Sequence, residues 1–250
     1  MRLASWNLWD DARGRAERPA LAAAELARLQ PDLLCVQEAP SAARCRSLAA
    51  ACGCGACFRR DGLAILTRLP VLAECFADGA LTVTVATPGG SLEVGCVHLP
   101  WDSVLARERG IAALTCRRSD ADFTALCGDF NAGDGSSVHD FALGRRSLDG
   151  AEARPVWNDL ALEWAERGGG APEPTLATGT NPRWRGQGYR PGAGVRMDWL
   201  LLRETYPRPA PALRGFFLFG TAADPVSGWC PSDHYGVCAE LDFGALAETK

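Results

Sequence analysis

One apolar run that leads directly into a polar turn constrains this chain more than any other feature. Residues 123–127 are apolar and predict a buried strand, and Gly128-Asp129-Phe130-Asn131 follow at once. Residues two apart in an extended chain point to the same side, so the strand end is expected to present a carboxylate beside an amide. That pair suits attack of water on an anionic phosphate, because an amide donates to an oxyanion without adding negative charge. The same residues also fit a strand followed by an Asx turn without a chemical role.

Strands and helices predicted along the rest of the chain indicate the fold class. Apolar periodicity and turn residues predict helices over residues 19–30, 41–51, 103–118 and 156–167, with a short helix opened by Ser137. They predict strands over residues 2–8, 33–36, 54–60, 62–67, 70–77, 80–87, 91–98, 195–203, 214–219 and 235–241. Helices mixed with a central block of hairpins favour an α+β layered sandwich of two packed sheets with helices outside. No Pro/Ser-rich linker divides the chain, so a single domain over residues 1–250 is expected.

Composition and charge limit the classes of partner. The chain has 250 residues, 47% hydrophobic and 22% charged, which is enough for a full core. Its net charge of −4 disfavours non-specific binding of long duplex DNA, which needs a basic footprint, but does not exclude short nucleic acids. The sequence has no basic leader followed by an apolar core and no apolar segment long enough to span a bilayer. A soluble, cytoplasmic protein is expected.

The cysteines favour reduced thiols over disulfides or zinc. Their number, 11, is odd, and several stand in apolar strand-like runs where a thiol behaves as a small hydrophobe. Cys45, Cys52, Cys54 and Cys57 form the one zinc-like grouping, yet they lack a second Cys-x-x-Cys pair and a nearby histidine. No zinc site is predicted there.

Polar residues close several of the predicted strands. Glu38 ends a buried strand, where a carboxylate needs a partner such as Mg²⁺, although a surface glutamate that caps the next helix fits as well. Asn7 ends the neighbouring strand and could donate to Glu38, bind metal or merely form a turn. These strand ends are the predicted location of the functional site.

Two of the three histidines also stand at strand–loop junctions. His98 follows one strand, and His234 lies in the polar segment Ser232-Asp233-His234 before another, whereas His139 is predicted to be a surface residue. Asp198 lies inside a strand that is otherwise apolar. A buried carboxylate usually meets a cation or a donor, and a histidine is the expected partner.

Six short motifs occur together in a fixed order: Trp6-Asn7, Gln37-Glu38, Val97-His98-Leu99, Gly128-Asp129-Phe130-Asn131, Arg196-Met197-Asp198-Trp199 and Ser232-Asp233-His234. In order and approximate spacing the chain resembles the endonuclease/exonuclease/phosphatase superfamily, which includes DNase I-like nucleases. The resemblance runs from Asn7 to His234. It implies a DNase I-like four-layer α/β-sandwich with the active site at one end of the two sheets.

The resemblance also implies a role for each motif residue. Glu38 corresponds to the principal ligand of Mg²⁺ or Mn²⁺, with Asn7 close by and Asp233 beside the metal. Asp129 corresponds to the residue that orients or deprotonates the attacking water. The other catalytic positions contact the phosphoryl oxygens or fix the histidine that does so, and they are Asn131, His98, His234 and Asp198. Independently of the resemblance, a metal neutralises phosphate charge and stabilises the leaving oxygen.

Departures from the patterns of individual family members reduce the number of candidate substrate classes. Trp9 stands where apurinic endonucleases carry an additional acid, and Val195-Arg196-Met197-Asp198 replaces the Pro-x-Trp-Cys-Asp-Arg signature of inositol 5-phosphatases. The absence of an extended apolar loop weakens a sphingomyelinase interpretation. Residues 181–214 are rich in arginine, and aromatic side chains stand among them, which suits an anion-binding or base-stacking loop. The substrate-binding residues predicted there are Arg183, Trp184, Arg185, Tyr189 and Arg190; a solvated loop in an arginine-biased genome is the alternative.

These observations predict a metal-dependent phosphoesterase that cleaves a P–O bond by direct attack of water. A phosphodiester is preferred as substrate, either nucleic acid, short or single-stranded, or a small nucleotide-like diester. Hydrolysis of a phosphomonoester or a phospholipid headgroup is the first alternative, and a non-catalytic binding module on the same fold is the second. The enzyme is expected to act as a monomer without inserting into membranes.

Overall fold

Two mixed sheets form the centre of the protein. The computed structural model describes residues 1–9, 16–184 and 194–244. Within them, the first sheet contains β1 (Arg2–Asn7), β2 (Leu33–Gln37), β3 (Ala56–Arg60), β4 (Leu63–Thr67), β11 (Ala212–Phe219) and β12 (Gly236–Asp242), in the order β11-β12-β1-β2-β4-β3. The second contains β5 (Val71–Ala77), β6 (Ala80–Thr87), β7 (Gly90–His98), β8 (Phe123–Asp129), β9 (Trp157–Asp159) and β10 (Asp198–Arg203), in the order β5-β6-β7-β8-β10-β9.

Helices cover the sheets and complete the sandwich. They are α1 (Arg18–Leu29), α2 (Ala42–Ala51), α3 (Val104–Cys116), α4 (Ser137–Ala142) and α5 (Leu160–Glu166), with a 3₁₀ turn at Pro182–Trp184. This arrangement confirms the predicted DNase I-like sandwich of two mixed sheets flanked by helices.

Most element positions predicted from the sequence agree with the structure, with two corrections. The segment predicted as one helix over residues 156–167 begins as strand β9, which pairs with the edge of β10, and only Leu160–Glu166 is helical. Pairing with a neighbouring strand therefore overrides the local amphipathic pattern. The strand predicted over residues 195–203 is β10, which begins only at Asp198. Helix α4 begins at Ser137 as predicted, and the side chain of Ser136 caps it by accepting a hydrogen bond from the backbone N–H of His139.

The core between the sheets uses alternate residues of each strand. Leu3 and Cys35 of the first sheet face Val94, Cys96 and Cys127 of the second, and all five are buried. The intervening residues face outward but are also covered. Helices α1 and α2 pack on the outer face of the first sheet, and α3 and α4 pack on that of the second. Because both faces of the central strands are buried, these strands are apolar almost throughout, and a polar residue near a strand end is a significant exception.

Gly128 is required by close packing of two strands. A Cβ atom at this position would lie 1.9 Å from the carbonyl oxygen of Val97 on the parallel strand β7. The obstacle is backbone and cannot rotate away. We expect Gly128→Ala to destabilise the protein by about 3 kcal/mol, the upper part of the range for overpacked sites, in urea unfolding. Gly55→Ala, where a Cβ meets nothing within 4 Å, is the control and should remain within about 0.5 kcal/mol of wild type. Equal stability of the two variants would contradict the close approach.

Candidate active site

The register of the second sheet places three polar residues in one row. Strands β7 and β8 are parallel with His98 opposite Asp129, and β10 is antiparallel to β8 with Asp198 opposite the same Asp129. The Nε2 atom of His98 lies 3.6 Å from Asp129 Oδ2. Asp129 and Asp198 are buried, while about a quarter of the His98 side chain (28%) is exposed. The row therefore opens to solvent on its His98 side.

Asn7 joins the two sheets at the same end. The parallel register of β1 and β2 puts Asn7 beside Gln37, so that Glu38 follows immediately. The Asn7 amide donates to Glu38 Oε1 at 3.2 Å and to Asp129 Oδ2 of the second sheet at 3.0 Å. Its carbonyl oxygen accepts the backbone N–H of Trp9 at 2.9 Å. One buried amide thus fixes the separation of Glu38 and Asp129, to which the family resemblance gives the metal and the attacking water.

The loop before β12 brings His234 to this point. Strand β12 is antiparallel to β1, so the residues preceding it return to the end of β1 that carries Asn7. The Ser232 hydroxyl donates to the backbone carbonyl of Asn7 at 2.7 Å, and the indole of Trp6 donates to the backbone carbonyl of His234 at 3.0 Å. The His234 Nδ1 atom lies 2.9 Å from Asp198 Oδ2, and Nε2 lies 3.9 Å from Asp129 Oδ2. The contact with Asp198 therefore orients the imidazole so that its other nitrogen, Nε2, points toward Asp129.

Asn131 adopts a conformation different from the expected one. It does not continue an extended strand, because its φ is +48° and its backbone N–H donates to Asp129 Oδ1 at 2.8 Å. This is the Asx turn that the sequence also allowed. The Asn131 side-chain amide donates one hydrogen to the carbonyl of Leu99 at 2.8 Å. Its second hydrogen remains for another acceptor, since a primary amide has two.

Burial and neighbouring charge shift the pKa values of this group. Burial raises the pKa of Asp129, and the charge of Asp198 adds to that effect, while His234 and His98 oppose it. Burial would lower the pKa of His234, but the negative charges of Asp198 and Asp129 outweigh it and raise the pKa to about 10. A positively charged imidazole between two carboxylates is therefore the favoured state at neutral pH.

Glu38, Asn7 and Asp233 form an oxygen-rich rim next to the histidine. Burial raises the pKa of Asp233, and the nearby negative charge of Glu38 raises it further. Two carboxylates beside an amide fit a divalent cation, which takes hard oxygen ligands. Among the described residues, the groups of histidine and carboxylate ligand atoms that lie within 4.8 Å of one another are Asp129 with Asp198 and His234, and Asp134 with His139 and Asp159, and neither includes Glu38. The first of these groups lies at the same end of the sheets. The hydrogen bond between Asp198 and His234 already uses atoms of that group, so the Glu38 side is the better candidate for metal.

Two of the predicted substrate residues lie at this rim. The Trp184 indole donates to the Asp233 carbonyl at 3.3 Å, and the Arg183 guanidinium lies 4.6 Å from the centre of the Trp9 ring. Arg18 lies against Trp9 as well, at 4.1 Å. Trp9 therefore lies between two arginine side chains at the rim, a position that its sequence context alone does not indicate. The other predicted substrate residues, Arg185, Tyr189 and Arg190, lie outside the described residues.

A second buried polar network lies beside the site and corrects two expectations. His139, predicted to be at the surface, is 1% exposed, and its Nε2 lies 2.9 Å from Asp159 Oδ2. Arg196, part of the arginine-rich stretch, is also buried and donates to Asp159 at 2.7 Å and to Asp134 at 2.5 Å. Burial would raise the pKa of Asp159, but His139 and Arg196 hold it below its usual range. The network ties the loop after Asn131 to the start of β10.

Loss of the arginine from this network is expected to be costly for stability. Arg196→Met leaves a buried carboxylate without its main counter-charge, so we expect a loss of about 3–5 kcal/mol in urea unfolding at neutral pH. The exposed pair of Arg214 and Asp242 offers the control, and Arg214→Met should cost at most about 1 kcal/mol. Because the pKa of Asp159 is lowered by folding, its stabilisation is present above the usual aspartate pKa of about 3.9 and is lost as pH falls through the folded value. Stabilities of Arg196→Met and wild type should therefore converge in acid; a difference independent of pH would contradict the assignment.

An exposed apolar patch follows His98 in the chain. Trp101, Val104 and Leu105 are 78%, 56% and 55% exposed. Arg107 donates to the carbonyls of Pro100 and Trp101, both at 2.9 Å, and so fixes the turn that carries the tryptophan. Sequence patterns did not indicate this patch, since apolar residues at the start of an amphipathic helix are ordinarily assigned to the core.

Comparison with known protein families identifies the chain. The family model described as "Endonuclease/Exonuclease/phosphatase family" matches residues 4–234. The chain belongs to the endonuclease/exonuclease/phosphatase family. Members of this family are generally hydrolases that act on phosphoester bonds. A search of curated protein sequences gave no significant match.

Solved structures show the same fold at low sequence identity. TDP2 of D. rerio, in a complex with single strand DNA product, is 18% identical, with 97% of this chain and 98% of that chain covered and a TM-score of 0.74. Truncated TDP2 of Caenorhabditis elegans is 19% identical over 96% and 97% of the two chains, with a TM-score of 0.71. A family protein from Leptotrichia buccalis is 14% identical over 97% and 99%, with a TM-score of 0.65. Among the helices of the described residues, none is long and apolar enough to cross a membrane.

Proposed function

We propose that this protein is a divalent-metal-dependent phosphodiesterase that cleaves a P–O bond by direct attack of water. One observation carries the proposal: the Asn7 amide holds Glu38 and Asp129, from different sheets, at one point beside the His234–Asp198 pair. Glu38, Asn7 and Asp233 would hold Mg²⁺ or Mn²⁺. When bound, the metal supplies charge neutralisation at the phosphate and at the leaving oxygen.

The remaining residues divide the other tasks of hydrolysis. Asp129 is the base or orienting group for water, since its Oδ2 faces both His98 and His234 and its position is fixed by Asn7. Charged His234 donates from Nε2 to a phosphoryl oxygen, and Asp198 on Nδ1 fixes the imidazole orientation. Asn131, with one free amide hydrogen, and His98 donate to the other phosphoryl oxygens, where negative charge increases in the transition state.

The proposed substrate is a short or single-stranded nucleic acid or a small nucleotide-like diester. The protein carries a net charge of −4, so affinity for long duplex DNA is not expected. Arg183 and Trp184 at the rim are suited to a phosphate and to a stacked base. The structurally similar D. rerio TDP2 was solved with single strand DNA product, which supports the same class here. We further propose that the protein is a single domain that works in the cytoplasm as a monomer.

The first experiment compares bis-p-nitrophenyl phosphate with p-nitrophenyl phosphate in Mg²⁺, in Mn²⁺ and with EDTA. Turnover of the diester that EDTA abolishes is the expected result, and short oligonucleotides follow as substrates. Turnover of the monoester alone would replace the phosphodiesterase assignment by a phosphatase. Metal binding without turnover of either reagent or of oligonucleotides would reject it, and absence of metal binding would favour a binding module.

A second candidate, hydrolysis of a phospholipid headgroup, is favoured by the exposed patch after His98. Trp101, Val104 and Leu105 could contact acyl chains or the membrane interface, since indoles are enriched there. Release of phosphocholine from sphingomyelin in mixed micelles, reduced by Trp101→Ser, would support this candidate. Equal activity of Trp101→Ser and wild type on micelles would show that the patch does not support this candidate.

A further inference from the structure

Arg183, at the rim of the site, is held by aromatic rings. Its guanidinium lies 4.6 Å from the centre of the Trp9 ring and 5.1 Å from that of Trp184. Contact with an aromatic ring uses no hydrogen-bond donor of the guanidinium. The Nε–H is buried and has no hydrogen-bond partner among the described residues, although buried donors in folded proteins are nearly always paired. The side chain is thus fixed in place while its hydrogen-bonding capacity is not used by its described neighbours.

The backbone at Arg183 is attached to the loop that carries Asp233. The Arg183 backbone N–H donates to the side chain of Asn181 at 3.0 Å, and the buried Asn181 amide donates to the backbone carbonyl of Ser232 at 2.9 Å. One residue later, the Trp184 indole donates to the backbone carbonyl of Asp233 at 3.3 Å. Hydrogen bonds on both sides of Arg183 therefore fix it next to Asp233.

Trp9 and Arg18 support Arg183 through a stack of side chains. Arg18 is 6% exposed and lies 4.1 Å from the centre of the Trp9 ring, which Arg183 also contacts. The Arg18 guanidinium donates to the backbone carbonyls of Leu8, Trp9 and Pro231, at 2.6, 2.8 and 3.0 Å. Arg18 consequently holds the chain around Trp9, and the Trp9 ring in turn positions Arg183.

Arg183 stands apart from the donors assigned to the phosphate that is cleaved. Those donors lie around Asp129, and they are His98, His234 and Asn131. Arg183 instead lies beside Asp233, on the side of the proposed metal ligands. Burial raises the pKa of Asp233, and the charge of Arg183 is among those that oppose this rise, which is consistent with their proximity.

We propose that Arg183, positioned by Trp9, forms a subsite for a second phosphate, next to the phosphate that is cleaved. A guanidinium donates two parallel N–H bonds to the oxygens of one phosphate, and its charge attracts the anion. Each nucleotide of a nucleic acid contributes one phosphate, so a strand bound at the metal carries another phosphate one nucleotide away. A small diester with a single phosphate lacks this group. The subsite, whose ligand class rests on the proposed function, therefore favours an oligonucleotide over a small diester.

The test measures binding by isothermal titration calorimetry in Mg²⁺, with thymidine 3′,5′-bisphosphate, thymidine 5′-monophosphate and thymidine 3′-monophosphate as probes. Wild type should bind the bisphosphate about 10–100-fold more tightly than either monophosphate, as expected for one additional contact with a charged donor. Arg183→Met should abolish most of this preference. Arg214→Met is the matched control and should keep it, because Arg214 pairs with Asp242 at the end of β12 remote from His234.

Trp9 has a test of its own, because it acts through Arg183. Trp9→Leu removes the ring beside the guanidinium and should lower the preference for the bisphosphate by about 3–10-fold, as expected for one cation–π contact. Trp9→Phe keeps an aromatic ring and should retain most of the preference. Equal losses in Trp9→Leu and Trp9→Phe would contradict the positioning role of the ring.

Two results would overturn the subsite itself. One is equal affinity of wild type for the bisphosphate and the monophosphates, a measurement that does not depend on whether any variant folds. The other is an unchanged preference in Arg183→Met. The proposed hydrolysis can fail separately, since binding is measured without turnover: a preference for the bisphosphate that Arg183→Met abolishes would support the subsite even if no diester were cleaved.

Discussion

Replacing Asp129 by asparagine is expected to lower kcat for the diester by about 10³-fold, in the middle of the range for loss of a general base. Asparagine keeps an oxygen that can accept the backbone N–H of Asn131, so the Asx turn should survive. Its amide nitrogen, however, faces the Asn7 amide, and it cannot take a proton from water. We expect kcat to fall while KM stays nearly unchanged, because the variant removes the group that acts on water and leaves the contacts with substrate in place.

The matched control is Asp78→Asn, which makes the same chemical change in an exposed turn between β5 and β6. It should retain wild-type kcat. Circular dichroism and thermal unfolding should show that Asp129→Asn is folded, since burial already disfavours the charge that the substitution removes. If Asp129→Asn turns over the diester at the wild-type rate, Asp129 does not act on water, and the proposed division of tasks fails.

The sequence predicted that the candidate site residues lie close together, because strand ends are local features. An apolar run that stops at a polar residue marks the end of a strand, and parallel neighbours then bring those ends to one edge. Asn7 with Glu38, and His98 with Asp129, are adjacent for this reason. The sequence pattern could not predict the hydrogen bond that joins the two sheets, because Asn7 and Asp129 are 122 residues apart in the chain.

Buried polar networks were the least predictable part of the molecule. His139 lies in a short capped helix, and Arg196 belongs to the same arginine-rich stretch as Arg208 and Arg214, which pair with carboxylates nearer the surface. Their burial follows from Asp159, which reaches them only because β9 pairs with β10. That three-residue strand was itself predicted as helix. The sequence around a single histidine, or around one arginine among many, does not indicate that the two share a buried carboxylate. The strand and the network were therefore both missed because the pairing of β9 with β10 was not predicted.

Both geometry and charge support the proposal that Glu38 binds a metal ion. Glu38 directly follows the last residue of β2 with a φ of +47°, a left-handed conformation that turns the chain away from the strand. The Asn7 amide fixes one carboxylate oxygen, and Asp233 is close enough for the two charges to oppose each other. A protein without a cation here would gain nothing from placing two carboxylates together. The proposed metal binding accounts for their proximity and can be tested without any substrate.

Glu38→Gln is therefore expected to weaken Mn²⁺ binding by at least about 10–100-fold, the loss seen even for groups that only support a ligand. Glutamine preserves the side-chain volume and the oxygen that accepts from Asn7, so the change is confined to charge. Electron paramagnetic resonance of free Mn²⁺ measures the affinity directly, and the Mg²⁺ concentration for half-maximal diester turnover should rise in parallel. Glu74→Gln, on an exposed strand position, is the control and should bind Mn²⁺ as wild type does. Unchanged Mn²⁺ affinity in Glu38→Gln would place the metal elsewhere, with the Asp129, Asp198 and His234 group as the next candidate.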